Sequence, residues 1–273
     1  MHGLALATAM LAGCSTVAPA SGAGSTDAAW QSVAADAVGS MGWQVGGVPI
    51  GSGGHGATAK LASERSKWAV DVSRPSGYPV SIQPGDVELQ RHCALAAMGF
   101  GKLQVEVHAG TVEVSQDRSD LDNPSSVPAG ADGQQGVCGG ARLAAAVATF
   151  DRFELALSAG LSGSDTEADS SIGTTSISWL QFDAGAAMAY RPSSDALFAI
   201  APFGGLGWRK LDGIQKQVGA NQPIEAEFDA EHTYGFAGIS FTWRPQEQSQ
   251  VAFDLQQMFG QIEGTVLGLS VGF

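Results

Sequence analysis

The sequence has few charged residues, and basic residues are the scarcer kind. Charged side chains make up 15% of the 273 residues, with 14 Lys and Arg against 27 Asp and Glu, so the formal net charge is −13. Nucleic-acid binding needs a basic stripe that neutralises phosphates, and this composition therefore excludes nucleic acid as a partner. Glycine, in contrast, is abundant, with 37 residues. A glycine-rich, charge-poor chain with many short alternating runs is typical of an all-β protein.

The sequence also lacks the common motifs of catalytic and metal sites. It contains no nucleophile elbow and no Cys/His zinc pattern, and "GFGKLQ" at 99–104 joins two predicted strands instead of opening a helix. The acidic stretches at 115–126 and 162–169 do not have the spacing of an EF-hand loop, so solvated loops are the better interpretation. We therefore expect no metal and no cofactor.

No apolar run is long enough to span a membrane as a helix. The longest apolar stretch, within "LATAMLAGCSTVAPASG" at 6–22, has the length of an export-signal core. Its end at Cys14 resembles the lipobox of bacterial lipoproteins, although no Lys or Arg precedes the run. That resemblance implies cleavage before Cys14, acylation of its thiol and, with Ser15 next, transfer to the outer membrane. The alternative is an ordinary export signal cut near Ala18-Pro19-Ala20.

The other two cysteines, Cys93 and Cys138, permit one pairing in an oxidising compartment. The predicted topology places them on strands that are not neighbours and at different heights. Whether they form a disulfide stays open at this point, because sequence alone does not show that the geometry allows it.

Much of the chain from about residue 66 onward alternates with a period of two. The clearest runs are at 103–114, 153–161, 179–190 and 251–259. One face of each run is apolar, and the other carries small residues with isolated charges, which is the pattern of β-strands. An apolar face toward lipid and a small, polar face toward a narrow lumen are typical of a transmembrane barrel, and the runs have the length that a tilted strand needs to cross a bilayer. The alternative is a soluble β-sandwich.

The sequence ends with "TVLGLSVGF", an amphipathic run that finishes on Phe273. Together with the export signal and the alternating body, this resembles bacterial outer-membrane β-barrels of the small porin-like type. The resemblance implies that Phe273 is part of the signal read by the barrel-assembly machinery, and that the partners include outer-membrane lipids.

The predicted fold is an all-β, transmembrane, antiparallel up-and-down β-barrel of about ten strands, with eight or twelve as alternatives. The strands are expected near 66–73, 87–99, 102–115, 139–149, 152–163, 174–191, 195–211, 226–243, 249–260 and 264–273. Short turns are expected on one side, and long polar loops at 116–137, 163–173 and 212–224 on the other. The predicted domains are an export signal peptide at 1–13, a tether with a partly ordered segment at 14–60, and the barrel at 61–273.

Isolated charges on the lumen side predict a network that fills the barrel, because buried charges must be paired. Its predicted members are Glu106, His108, Arg142, Glu154, Asp183, Arg209 and Asp254. The functional alternative to this network is an active site. It would use His92 and His108, both assigned to the lumen side with Glu88 and Gln90, or it would use His232 near Asp229. Ten-stranded outer-membrane proteases of the omptin type also use Asp and His, but Asp229-Ala-Glu-His232 has a different spacing.

These observations predict a protein of the bacterial outer membrane that is not an enzyme. Its expected role is structural or interactive, with surface loops that contact an envelope or surface protein and a lumen that is largely filled. Three alternatives remain open: a narrow passive pore, an outer-membrane enzyme acting on lipid or peptide, and a soluble periplasmic β-sandwich lipoprotein.

Overall fold

The protein, seen in a computed structural model, is a closed barrel of ten antiparallel strands in which each strand pairs with the next and β1 pairs with β10. The strands are β1 (His55–Val72), β2 (Gly85–Phe100), β3 (Leu103–Gln116), β4 (Gln134–Phe150), β5 (Phe153–Ser170), β6 (Gly173–Tyr190), β7 (Phe198–Val218), β8 (Ile224–Gln246), β9 (Ser249–Gly260) and β10 (Ile262–Gly272). The structure describes residues 55–72, 85–100, 102–116, 134–170, 173–190, 197–218, 224–246 and 249–272. Within these ranges, no helix is long and apolar enough to cross a membrane. The predicted ten-stranded antiparallel barrel is confirmed.

The alternation in the sequence becomes an alternation between the outer surface and the lumen. On β9 and β10, Phe253 and Leu269 point outward and are 45% and 48% exposed. Their neighbours Asp254 and Ser270 point inward and are 2% and 1% exposed. A water-soluble protein buries its apolar side chains, whereas this barrel presents them outside and keeps its polar ones inside. That arrangement suits a barrel surrounded by lipid.

The outward apolar positions form a continuous band around the barrel. On β5 the band runs from Phe153 to Leu161, with the exposed Asp165 beyond it. On β8 it runs from Trp243 to Gly235. Such a length of tilted strand covers on the order of 25 Å, the height of the apolar band of outer-membrane barrels. The band is therefore tall enough to match the hydrocarbon core of a bilayer.

Strands β5 to β8 continue beyond this band on the side that faces away from the start of β1 and the end of β10. Two predicted long loops, 163–173 and 212–224, are consequently wrong over most of their length, because β5 reaches Ser170, β6 begins at Gly173 and β7 reaches Val218. Polar side chains on both faces hid these segments from pattern analysis, yet the ladder continues, for example between Asp165 and Ser178. The predicted loop at 116–137 lies mostly outside the described residues.

Strand β1 begins at His55, whereas the predicted strand began at 66 and the predicted barrel at 61. The reason is that β1 is polar on both faces over part of its length. Lys60 and Glu64 point into the lumen, while Ser63 and Arg65 point outward. This sequence therefore shows no apolar-polar alternation, although every one of these residues pairs with β2 and β10.

The barrel is closed differently at its two ends. Strands β9 and β10 are the shortest, and they meet at Gly260 and Gln261. Gly260 has a φ of 107°, a conformation that favours glycine in such a tight turn. Beyond this hairpin, Asp71 of β1 pairs directly with Asp229 of β8. On one side of this hairpin all ten strands take part in the ring. Beyond the hairpin, β1 pairs directly with β8 and closes the ring without β9 and β10.

Glycines allow strands and rings to approach closely within the wall. A Cβ added at Gly140 would lie 2.3 Å from the carbonyl oxygen of Leu161 and 2.8 Å from the Cα of Ser162, which are backbone atoms of the neighbouring strand. A Cβ at Gly207 would lie 2.4 Å from the ring of Tyr234. These positions fit only glycine, since a side chain would force strands or rings apart.

We expect Gly140→Ala to destabilise the folded barrel by about 1–3 kcal/mol, the usual cost of overpacking. The measurement is urea unfolding of the barrel in lipid vesicles, followed by tryptophan fluorescence. Gly163→Ala is the matched control, because a Cβ there meets no atom closer than 3.9 Å. Equal stability of the two variants would contradict the close approach of β4 and β5 at Gly140.

Candidate functional site

A cluster of charged side chains spans the lumen from one wall to the other. Glu64 on β1 and Arg91 on β2 face Gln181 and Asp183 on β6 and Arg209 on β7. Arg209 Nε donates to Asp183 Oδ1 at 2.9 Å, and Arg209 Nη1 lies 3.4 Å from Glu64 Oε1. Arg91 Nη2 donates to Gln181 Oε1 at 2.6 Å, and Gln181 Nε2 donates to Asp183 Oδ2 at 2.6 Å. These contacts join strands that lie on opposite sides of the barrel. We call the five residues the central cluster.

Aromatic rings complete the surroundings of the central cluster. The Cζ atom of Arg209 lies 5.3 Å from the ring centroid of Trp68 and 5.9 Å from that of Tyr234. The Cζ atom of Arg91 lies 5.9 Å from the ring centroid of Trp179. Such cation–π contacts stabilise a guanidinium that has lost its water.

A second group of charges lies closer to the end of the barrel where β1 begins and β10 ends. Lys60 Nζ lies 3.2 Å from Glu106 Oε2. Arg142 approaches the same carboxylate with two nitrogens, at 3.0 Å and 3.1 Å. We call these three residues the lower cluster. It connects β1, β3 and β4, which lie on one side of the barrel, so it does not span the lumen.

Both clusters are almost completely shielded from solvent. Glu64, Arg91 and Arg209 are 0% exposed, and Asp183 is 6% exposed. Removing charges from water costs several kcal/mol for each ion, and only good geometry with further hydrogen bonds compensates that cost. In the central cluster two carboxylates face two guanidiniums, so the charges balance, and Ser66 Oγ donates to Glu64 at 2.7 Å. These pairs therefore hold the two walls at a fixed separation.

The structure distributes the seven predicted network residues over both clusters and beyond them. Asp183 and Arg209 belong to the central cluster, and Glu106 and Arg142 to the lower one. His108 lies on the lumen side of β3, next to Glu106 in the inward row. Glu154 and Asp254 are buried on the lumen sides of β5 and β9, outside both clusters as defined here.

Three charged members of the clusters did not appear in the predicted network: Lys60, Glu64 and Arg91. The sequence does contain a sign of them, because each is a charged residue in a segment that forms a strand, β1 or β2. Their assignment to the lumen requires knowing where β1 begins and which face of β2 points inward. Neither can be taken from a segment without alternation.

The assignment of His92 to the lumen was wrong. Its ring is exposed on the outer face of β2, where Nε2 lies 3.2 Å from the side-chain nitrogen of Gln90. The inward residues of β2 are Leu89, Arg91 and Cys93, which are all buried. Apolar residues point inward here, so the rule that the polar face lines the lumen fails for this strand. Glu88 and Gln90 share the outer face with His92.

The register also corrects the expected heights of Cys93 and Cys138. Both residues pair with Gly110 of β3, which places them in one row across three strands. The connection between β3 and β4 is long, so this register could not be predicted from the sequence.

Cys14 and Phe273, the predicted lipidation and assembly residues, lie outside the described residues. The same is true of the signal peptide and of nearly all of the predicted tether. Among the residues that the structure describes, no group of three or more His, Cys, Asp and Glu could hold a metal ion.

His232 lies at the seam, which is the place beyond the β9–β10 hairpin where β1 meets β8 directly. Its ring N–H donates to the carbonyl oxygen of Ala69 on β1, with Nε2 and the oxygen 2.6 Å apart. Next to it, the backbone nitrogen of Thr233 donates to Gln261 Oε1 at 2.7 Å. These two hydrogen bonds join β8 to β1 and to the hairpin where the regular ladder is interrupted.

We expect His232→Ala to lower the free energy of unfolding by about 0.5–1.5 kcal/mol, the usual contribution of one hydrogen bond. Faster hydrogen exchange at β1 residues near Ala69 should accompany this loss. His92→Ala is the control, because its exposed ring makes no contact across the seam. Unchanged exchange in the His232 variant would show that the seam does not depend on this ring.

The closed ring, the outward apolar band and the polar lumen define the class of this protein. Backbone groups in lipid must all be paired, and a closed β-barrel is the only sheet structure that meets this condition. The chain therefore has the architecture of a transmembrane β-barrel of the outer-membrane type.

No family model matches the sequence, and no curated protein matches it. Among solved structures, it is similar to the outer-membrane protease OmpT of Escherichia coli, at 12% identity and a TM-score of 0.44, over 80% of this chain and 93% of that one. It is equally similar to the β domain of the Bordetella autotransporter BrkA, at 12% identity and a TM-score of 0.44, over 80% and 98%. Ail, the attachment invasion locus protein of Yersinia pestis, matches at 10% identity and a TM-score of 0.35, over 80% and 97%.

Proposed function

We propose that this protein is a closed outer-membrane barrel with a structural or interaction role, and not a route for solutes. The observation that carries the proposal is the central cluster. Its residues come from β1, β2, β6 and β7, and their hydrogen bonds cross the lumen. A ten-stranded barrel has a narrow interior that side chains can fill. The charged side chains of the central cluster fill the centre of this interior. Each of them has an oppositely charged partner within the cluster, so no buried ion is left uncompensated.

The end of the barrel away from the start of β1 and the end of β10 supports a role in contacts with a partner. Strands β5 to β8 extend there beyond the apolar band, and their exposed residues include Asp165, Asp212, Glu227 and Asp229. A cavity of about 800 Å³ lies along β4 to β8 at this level, and these four carboxylates are among the residues that line it. We propose that this end meets an envelope or surface protein.

The remaining parts of the proposal concern the attachment of the protein to the membrane. The apolar band contacts outer-membrane lipids, and the final strand with Phe273 is read by the barrel-assembly machinery. Cys14 carries a lipid after signal cleavage, as its lipobox-like context indicates. Incorporation of labelled fatty acid into the wild-type chain, and its loss in Cys14→Ser, tests this last point.

The test of closure is conductance in planar lipid bilayers. The protein is purified from outer membranes, and its barrel is first verified by faster migration of the unheated sample in SDS gels. We expect no conductance steps, because the paired side chains of the central cluster cross the lumen. Stable steps from a heat-modifiable preparation would favour the alternative of a narrow passive pore.

A further inference from the structure

Two thiols face each other inside the barrel wall. Cys93 of β2 and Cys138 of β4 both pair with Gly110 of β3, so the three residues form one row across three strands. Their Sγ atoms lie 3.3 Å apart. The two residues are 4% and 7% exposed. Cysteines on strands that are not neighbours are normally too far apart to meet, so this contact requires an explanation.

Gly110 supplies that explanation. A Cβ at position 110 would lie 2.5 Å from Cys93 Sγ and 2.0 Å from the carbonyl oxygen of His92. A side chain here would therefore collide with Cys93 and with the backbone of β2, and would push β2 away from β3. Because glycine stands at this position, Cys93 and Cys138 can reach each other over the backbone of the intervening strand.

We propose that Cys93 and Cys138 form a disulfide in the mature protein and thereby fasten β2 to β4 across β3. A disulfide has its sulfurs about 2.05 Å apart and its Cα atoms within about 7 Å. From 3.3 Å, the two sulfurs must therefore come closer, and β2 and β4 must move toward each other as far as the bridge requires. The proposal rests on the outer-membrane location, since proteins reach it through an oxidising compartment. It does not depend on whether the lumen conducts.

The chemistry is thiol–disulfide exchange with a protein disulfide of that compartment. The Cys93 thiolate attacks one sulfur of the donor, and a mixed disulfide forms. The Cys138 thiolate then attacks Cys93 Sγ, and the donor leaves as a dithiol. The S–S bond of the donor is broken, that of the barrel is formed, and the donor receives both electrons and both protons.

The burial of the pair determines when this reaction occurs. Once the barrel is closed, a protein oxidant cannot reach side chains that are 4% and 7% exposed. The exchange therefore takes place before the barrel closes, while the exported chain is still open. For the same reason, the bridge in the folded barrel resists reductant and becomes reducible only on unfolding.

Peptide mapping of the wild-type protein tests the proposal. The protein is purified from outer membranes, denatured without reductant in the presence of N-ethylmaleimide, and digested with trypsin. Cleavage at Lys and Arg places Cys93 in the peptide 92–102 and Cys138 in the peptide 119–142, with no other cysteine in either. We expect the two peptides to be joined, two hydrogen masses lighter than their sum, and separated by reductant. Recovery of both as maleimide adducts without reduction would overturn the proposal.

A pair of glycine variants tests the geometric cause. In Gly110→Ala the fraction of folded, heat-modifiable barrels that carry the joined peptide should fall strongly, because the new Cβ would lie 2.5 Å from Cys93 Sγ and the bridged row could no longer close. Gly163→Ala should leave that fraction unchanged, since a Cβ there meets no atom closer than 3.9 Å. Full bridging in Gly110→Ala would refute the assigned row. If this variant fails to assemble, the wild-type peptide map still decides whether the bridge exists.

Discussion

Replacing Arg209 with leucine is expected to lower the free energy of unfolding by about 3–5 kcal/mol, the cost of removing one partner of a buried ion pair. Arg209 is 0% exposed and lies within hydrogen-bonding distance of both Asp183 and Glu64. Without its guanidinium, Asp183 retains only its hydrogen bond from Gln181 among these contacts. A buried carboxylate with so little compensation makes the folded barrel much less favourable.

The measurement is urea unfolding in lipid vesicles, with heat-modifiable migration in SDS gels as the check for the folded barrel. Arg65→Leu is the matched control, because the ion pair of Arg65 with Glu88 is exposed on the outer face and should change stability little. The double variant Asp183→Leu with Arg209→Leu should be more stable than Arg209→Leu alone, since it leaves no lone carboxylate at this pair. A single variant as stable as the wild type would show that water enters the central cluster freely.

Most of the fold could be predicted from the sequence, because lipid on one side imposes a clear pattern. Where the outward face is apolar and the inward face polar, as on β3 and β9, both the strand and its orientation are correct. β9 was predicted at 249–260 and is observed at Ser249–Gly260. The physical reason is that every outward residue within the band must be compatible with hydrocarbon, which makes the period of two visible.

The pattern fails where the environment is the same on both faces. The part of β1 with Lys60, Glu64 and Arg65 has polar residues inside and outside, so its first half was not recognised. On β2 the inward side carries Leu89, Cys93 and Leu95, and the assumption that polar residues line the lumen reversed the faces near His92. Residues beyond the membrane are in water on both sides, which is why the ends of β5 and β7 were mistaken for loops.

The central cluster itself was only half visible for a different reason. Asp183 and Arg209 lie on adjacent strands, in directly paired positions, and local reasoning could identify both. Glu64 and Arg91 reach them across the lumen, and such contacts depend on the diameter and register of the whole barrel. The contact between Arg91 and Gln181 joins residues 90 positions apart. Sequence patterns describe neighbours along a strand and do not show which walls face each other.

If the central cluster is what closes the lumen, removing it in a balanced way should open the barrel to ions. We expect the fourfold variant Glu64→Ala, Arg91→Ala, Asp183→Ala and Arg209→Ala to show resolvable conductance steps where the wild type shows none. The variant loses two acidic and two basic side chains, so it leaves no uncompensated charge within the set. Alanine at these positions also removes the side-chain volume that spans the lumen.

The matched control is Glu106→Ala with Arg142→Ala, which removes one buried pair from the lower cluster. This pair joins adjacent strands β3 and β4 and does not cross the lumen, so the control should remain without steps. Both preparations must first show the faster-migrating band of a folded barrel. Conductance in the control and not in the fourfold variant would place the constriction at the lower cluster. Absence of steps in both would mean that the surrounding rings of Trp68, Trp179 and Tyr234 close the lumen without help from the charges, and that the ion pairs serve stability alone.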